Sequence, residues 1–335
     1  MRAKRRKVLW RVLLPLFPLV CALAALCIGR MGVTPADLWK SLVGHLTGGE
    51  VPAGLVELTL WRVRLPRILL AMLTGAGLSA SGCAFQSLFA NPLATPDTLG
   101  VASGASFGAA LGILIGLPLV GVEGMAMLCG TAAVLLTALA GRGRGGLSGV
   151  VLAGIMMGSL FNALVSLVKF TADTETELPA ITYWLMGSLS AANWPELALG
   201  APPILVGLAV LLLLRWRLNL LPLTDDEAKA AGVNIRALRI VTILAATLCT
   251  ASCVSMCGQV GWVGLLIPHI CRMRFGSNAL RLLPASVFLG AGFLVIVDTV
   301  ARSVSPSEIP ISILTAMVGA PFFIFLMRRS EGWQL

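Results

Sequence analysis

Charge is scarce in this chain. Only 12% of its 335 residues are charged and 57% are hydrophobic, whereas a soluble domain carries about 25% charged residues. A water-soluble globular fold is thereby excluded. There is one Tyr and there are two His, so chemistry built on clustered histidines is excluded as well. No P-loop, no HExxH and no nucleophile elbow occurs in the sequence. The eight cysteines (Cys21, Cys27, Cys83, Cys129, Cys249, Cys253, Cys257 and Cys271) lie almost entirely in apolar runs and imply no disulfide framework. Cys249, Cys253 and Cys257 recur at i, i+4, i+8 along one helix face. They read as small packing residues rather than as a metal or redox site. Acidic residues number 15. Intramembrane acids mark proton- or sodium-coupled transporters, and here Asp298 is the one good candidate, with Arg302 one turn later able to pair with it. An ion-coupled transporter is disfavoured on that ground.

Long apolar runs are what the chain does contain. Membrane segments are expected near 12–29, 67–87, 98–117, 121–140, 149–169, 197–214, 237–255, 257–270, 281–301 and 309–327. The length leaves room for eight to ten spans of about 20 residues and for little soluble mass. The eighth is short and Gly-rich, and reads as a short or re-entrant helix, tolerated where protein covers it. A further apolar piece, Ile181–Leu189, lies in the loop before the sixth segment. Gly100, Gly104, Gly108, Gly112 and Gly116 recur every fourth residue and predict a flat ridge for close helix packing; Gly154 and Gly158 repeat the theme.

The net charge of +10 is distributed as in a membrane protein, not as in a nucleic-acid binder. Arg2, Lys4, Arg5, Arg6, Lys7 and Arg11 precede the first apolar run, the signature of a cytoplasmic N-terminus. That run, Val12 to Ile28, is longer than the apolar core of a signal peptide, and no small-residue cleavage site follows it. With the N-terminus inside, 18 of the 25 Lys and Arg residues fall on the cytoplasmic side and 7 outside. The bias predicts that both termini are cytoplasmic. The outer set includes Arg62, Arg64 and Arg67 just before the second segment and Arg302 just after the ninth. Such charges either snorkel to lipid headgroups or dock an acidic partner.

One loop stands out on the cytoplasmic side. Thr224-Asp225-Asp226-Glu227-Ala228-Lys229-Ala230-Ala231-Gly232 is a polar island between two apolar runs. Thr224 with Glu227 three residues later forms a capping box. Asp225 and Asp226 place negative charge at the positive end of the helix, and Gly232 supplies the backbone that ends it. A short, capped helix in a membrane protein's loop is either a linker or an element presented to a partner. His45 falls in an outer loop, and His269, beside Arg272, reads as a loop anchor at the inner end of the eighth segment.

Several strings resemble a known family. They are Arg64-Leu65-Pro66-Arg67; Gly82 to Pro96 (GCAFQSLFANPLATP); Leu99-Gly100-Val101-Ala102-Ser103-Gly104; Leu152-Ala153-Gly154; Tyr183-Trp184-Leu185-Met186-Gly187; Glu227-Ala228 to Gly232-Val233; Gly261-Trp262-Val263-Gly264-Leu265-Leu266-Ile267-Pro268-His269; and Leu314 to Pro321. Together, and in order along the chain, they resemble the FecCD permeases of type II ABC importers for iron-siderophores, haem and vitamin B12.

The resemblance implies an all-α integral membrane fold of about ten transmembrane helices, with residues 1–335 one permease domain in a bacterial cytoplasmic (inner) membrane. It implies two ABC ATPase subunits, a second permease subunit (a homodimer by preference), and an extracytoplasmic substrate-binding protein as partners. No nucleic acid, no metal and no cofactor of its own are expected, and ATP is hydrolysed by the partners. Residues 218–236 become the coupling loop, with Thr224, Asp225, Asp226, Glu227, Ala228, Ala231 and Gly232 as the ATPase-coupling element. Arg64, Arg67 and Arg302 match positions that dock the binding protein. Asn91 and Leu93 match a cytoplasmic gate, and Leu147 and Ser148 match a second. The expected cargo is an iron-siderophore, haem or cobalamin-type chelate. Another metal or an oxyanion in the same family is the alternative, and an ion-coupled secondary transporter is the rival from another class.

Overall fold

A computed structural model describes residues 2–49, 51–52, 54–141, 146–230 and 232–329. All regular structure among the described residues is helical. The helices are α1 (Arg2–Cys27), α2 (Pro35–Thr47), α3 (Gly54–Leu58), α4 (Leu65–Leu88), α5 (Val101–Leu114), α6 (Leu119–Ala140), α7 (Gly146–Thr171), α8 (Glu177–Leu185), α9 (Trp194–Leu214), α10 (Asp225–Ala230), α11 (Ile235–Cys257), α12 (Val263–Phe275), α13 (Ala279–Val304) and α14 (Ile311–Arg329). A π-helical turn, Thr59–Arg64, fuses α3 to α4 into one rod of 35 residues.

Among the described residues, six helices are long and apolar enough to cross a membrane, and three shorter apolar ones accompany them. These nine coincide with nine of the ten expected segments. The eighth differs: α11 runs on to Cys257, residues 258–262 form a loop, and α12 begins only at Val263. The Gly258 and Gly261 punctuation broke the apolar run where a sequence window could not see it. His269 therefore lies inside α12, not at a loop, packed 5.3 Å from Phe323 and 6.5 Å from Phe322 of α14.

The core is built around α4. Its spanning window is 83% buried, and α13, α11, α12 and α9 surround it. Small residues permit this. A Cβ on Gly75 would lie 2.2 Å from the Gly290 carbonyl oxygen of α13, and one on Gly82 only 1.8 Å from that of Gly264 in α12. Without a hydrophobic drive between helices in lipid, such close backbone approach supplies the packing energy. α5, α6 and α7 form a second group that joins the first through α11. The glycine ridge of α5 is real over its middle: Gly104 and Gly108 abut Cys129 and Met125 of α6. Gly100 and Gly116 instead have left-handed backbone (φ 76° and 72°) and bracket the helix. The cysteine stripe of α11 faces its neighbours. Cys249 reaches the Ile204 carbonyl of α9, and Cys253 and Cys257 reach Thr74 of α4. α1 lies on α13, and α14 lies at the edge against α12 and α13.

Candidate functional site

Four chain breaks meet deep in the bundle. α12 has only 13 residues, about 20 Å of helix. Its start packs against Gly82 and Leu78 of α4 and Pro96 of the preceding loop, well inside the ends of that rod. A 3-10 turn, Pro96–Leu99, leads into the 14-residue α5. The end of α8 is tied to the end of α11 and the start of α14: Ser188 N donates to Cys257 O at 2.9 Å, Ile311 N to Gly187 O at 3.0 Å, and Ser312 Oγ to Met186 O at 2.6 Å. Gly187 and Gly258, both with positive φ, interlock here, because a Cβ on Gly258 would sit 2.2 Å from the Trp184 carbonyl oxygen. Irregular backbone at membrane depth persists only where protein buries it or where it lines a cavity.

It does line a cavity here, of about 580 Å³. The walls come from α4 (Leu78), the 95–97 turn, α5 (Ala102), α8 (Leu185), α11 (Thr250, Val254), the 259–265 stretch that runs from the loop into α12, and α14 (Ser312, Ile313, Ala316). The polar groups are Thr95, Asp97, Thr250, Gln259 and Ser312, and Asp97 is the single charged one. Asp97 Oδ1 accepts from Ala102 N at 3.1 Å and Ser103 N at 3.4 Å, so its charge is balanced by the positive end of α5. Gln259 is fixed by donating to Ser106 Oγ at 2.7 Å. Trp262 sits at φ 68°, a left-handed conformation costly for a bulky residue. Its ring closes over Gly319 of α14, where a Cβ would lie 2.6 Å away. Asp97, Thr250 and Gln259 were not singled out from sequence; Gln259, a polar residue between Gly258 and Gly261, was the one available signal.

At one end of the bundle lies a charge cluster. Arg67 Nη2 and Nε grip Asp298 of α13 at 2.8–3.1 Å, while Nη1 and Nη2 each reach Glu308 at 2.9 Å. Arg302 Nε stands 3.8 Å from Asp298, so the expected i, i+4 pair is the weaker contact and Arg67 is the main partner. Arg64 donates to the carbonyls of Leu26 and Met31, and Arg302 to that of Ala25. The two arginines thus cap the negative end of α1. Arg64, Arg67 and Arg302 are only 3%, 6% and 8% exposed, whereas Arg30 and Arg62 beside them are exposed. Glu308, in the loop after α13, is partly buried, which raises its pKa. The hydrogen bonds and charge of Arg67 outweigh that burial and hold the carboxyl below the usual range.

At the opposite end the 224–232 loop folds as its residues dictate. Thr224 N and Oγ1 donate to Glu227 Oε2 at 2.9 and 3.0 Å, and Glu227 N donates back to Thr224 Oγ1 at 3.3 Å. Those bonds to Thr224, backbone first, lower the Glu227 pKa. α10 is stopped by Gly232 at φ 70°, with Val233 N bonded to Ala228 O at 2.9 Å. Ala228 is buried while Asp226 and Glu227 are exposed; Ala231 lies outside the described residues. Asn91 and Leu93 form an exposed turn just after α4, with Leu93 N bonded to Asn91 Oδ1 at 2.9 Å. Leu147 and Ser148 open α7, next to residues 142–145, which lie outside the described set.

Two buried carboxylates went unseen in the sequence. Glu123 of α6 and Glu196 of α9 are buried and interact electrostatically. The expectation that buried acids other than Asp298 are missing is therefore corrected. Both sit within the first two turns of a helix, at its positive end, and neither was singled out from sequence. Neither lines the cavity.

Comparison with known proteins places this architecture. The molybdate import system permease protein MolB of Haemophilus influenzae is 42% identical over 318 residues, covering 94% of each chain. The Fe(3+)-citrate import system permease protein YfmE of Bacillus subtilis is 36% identical, covering 98% of this chain and 97% of its own. A solved structure described as an inward-facing conformation of a metal-chelate type ABC transporter superposes with a TM-score of 0.87 at 40% identity, covering 97% of this chain and 99% of the other. Residues 16–329 match the FecCD transport family. The chain belongs to the FecCD transport family and is a multi-pass ABC-transporter permease.

Proposed function

We propose that the chain is the membrane-spanning subunit of an ATP-driven importer, paired with a second permease copy, two partner ATPases and an external binding protein. One observation carries the reading most directly. A loop of a membrane protein builds a reciprocally capped helix, buries Ala228 against the bundle and leaves Asp226 and Glu227 exposed. A rigid element anchored on one side and acidic on the other is suited to transmit a rigid-body shift from an ATPase. Thr224, Asp225, Asp226, Glu227, Ala228, Ala231 and Gly232 are assigned this coupling role. Asn91, Leu93, Leu147 and Ser148 are assigned to gates at the same, cytoplasmic, face, with both termini on that side.

The opposite face is assigned to the binding protein. Arg64, Arg67 and Arg302 supply three positive charges against the two of Asp298 and Glu308. With Arg30 and Arg62 exposed alongside, the cluster carries a local excess of positive charge that suits an acidic patch on a partner. Docking through Arg67 itself requires a partner carboxylate to take over contacts now made by Asp298 and Glu308.

The cargo class supported by the family is a metal chelate of the iron-siderophore, haem or cobalamin kind. A cavity with one charged lining residue suits a bulky organic complex. An oxyanion is the second reading, favoured by the 42% identity to a molybdate permease. An ion-coupled mechanism needs carboxylates in the path that are free to exchange a proton; Glu123 and Glu196 lie outside the cavity, and Asp97, which lines it, is engaged by the Ala102 and Ser103 amides.

The test is ATP-dependent uptake by the reconstituted complex carrying Glu227→Arg. Uptake should fall at least tenfold, with the permease still folded and dimeric. Unchanged uptake removes the coupling assignment.

A further inference from the structure

α2 lies between the first two apolar segments and holds none of the residues assigned above to coupling, gating or docking. It is well delimited: Thr34 and Asp37 form a capping box (Asp37 N to Thr34 Oγ1 at 3.1 Å, Thr34 N to Asp37 Oδ2 at 2.9 Å), and Gly48 ends it at φ 70°. One side is bolted to the bundle. Buried Ser41 accepts from Trp61 Nε1 at 2.8 Å and donates to Glu57 at 2.7 Å, and His45 stacks on Trp61 at 4.7 Å while lying 3.3 Å from Glu57. The other side is apolar and open. Trp39 is 68% exposed and Leu46 79% exposed, with Leu42 between them, at i, i+3 and i+7. Leu55 and Leu58 of α3 are also exposed and extend the apolar surface.

We propose that this stripe lies in the outer membrane–water interface, so that α2 is an interfacial helix seated in lipid. Three observations select lipid as the occupant. First, Leu55 and Leu58 belong to the same rod that spans the membrane, Gly54–Leu88. At about 52 Å that rod exceeds the hydrocarbon core of about 30 Å and carries its first turns into the headgroup layer. Second, Trp61 and Trp194 lie at this level, joined by a 2.7 Å bond from Trp194 Nε1 to Trp61 O. Trp39 completes an aromatic group of the kind that marks the interface. Third, α2 rests on α1, whose free side exposes Leu16, Leu19 and Leu23 and is itself lipid-facing. An acidic docking protein is drawn instead to the arginine cluster, and this stripe carries no cation. An amphipathic helix with Trp and Leu on one face binds the interface through that face.

The test uses the intact complex in nanodiscs, with Leu46→Cys labelled by an NBD fluorophore. Thr47→Cys on the flank serves as the comparison, and the parent chain treated identically gives the background of native cysteines. Phosphatidylcholine brominated on the acyl chains should quench emission at position 46, whose face enters the headgroup–acyl boundary, and leave position 47 to aqueous iodide. Position 46 quenched by iodide and shielded only on adding the binding protein overturns the proposal in favour of a protein-docking surface. Iodide quenching under both conditions overturns it too.

Discussion

At the residue scale, Arg67 is the most heavily committed side chain among the described residues. It binds Asp298, which is 1% exposed, and partly exposed Glu308. Removing one partner of a buried pair costs about 3–5 kcal/mol because the other charge is stranded. Arg67→Ala should therefore lower the melting temperature sharply, and Arg67→Ala with Asp298→Asn should recover most of the loss. An additive double variant would show that the pair is not coupled. Glu308 gives the pH dependence. Its folded pKa lies below the ordinary carboxylate value, so its contribution is full above the unfolded value near 4.3 and is lost as pH falls through the lowered one. The gap in melting temperature between the parent and Glu308→Gln should be constant from pH 7 to about 5 and close below about 4. A gap that widens on acidification contradicts the assignment. Sequence showed these arginines as outliers from the positive-inside trend. It could not show that Arg67, 231 positions from Asp298, takes the partner that neighbouring Arg302 seemed placed to hold.

At the element scale, packing rests on close helix approach at a few glycines. Gly82→Ala places a methyl against the Gly264 backbone at 1.8 Å, whereas a Cβ at Gly124 meets nothing within 4 Å. Gly82→Ala should reduce thermal stability and the yield of folded protein, and Gly124→Ala should leave both within about 0.5 kcal/mol of the parent. Equal behaviour of the two would contradict the α4–α12 contact. Nine of the ten segments were legible because a 20-residue apolar run has one stable solution in a bilayer. The start of α12 was not read correctly: Gly258, Gln259 and Gly261 mark the break, but the expected segment ran from 257 across them into the apolar residues that follow. The capped α10 was legible because its signals are local: Thr224 and Glu227 act within one turn at its start, and Gly232 follows its end. Glu123 and Glu196 were missed because their burial depends on which helices pack beside them.

At the scale of the whole molecule, the permease sets a cavity walled by broken helices between two polar ends. One end carries buried arginine–carboxylate pairs, and the other carries the exposed acidic turn of α10. This division suits alternating access, in which a signal enters at α10 and the path opens elsewhere. The cavity was invisible to sequence reasoning, since its walls come from seven separate stretches between Leu78 and Ala316. The central claim is that ATPases drive this chain through the 224–232 loop. The most direct measurement is gentle affinity purification of the parent and of Glu227→Arg from the native cell, with mass spectrometry quantifying any P-loop ATPase retained per permease. The account predicts an ATPase stoichiometric with the parent permease and largely lost from the variant. A parent chain that retains no ATPase, under conditions that keep other ABC complexes intact, would contradict it.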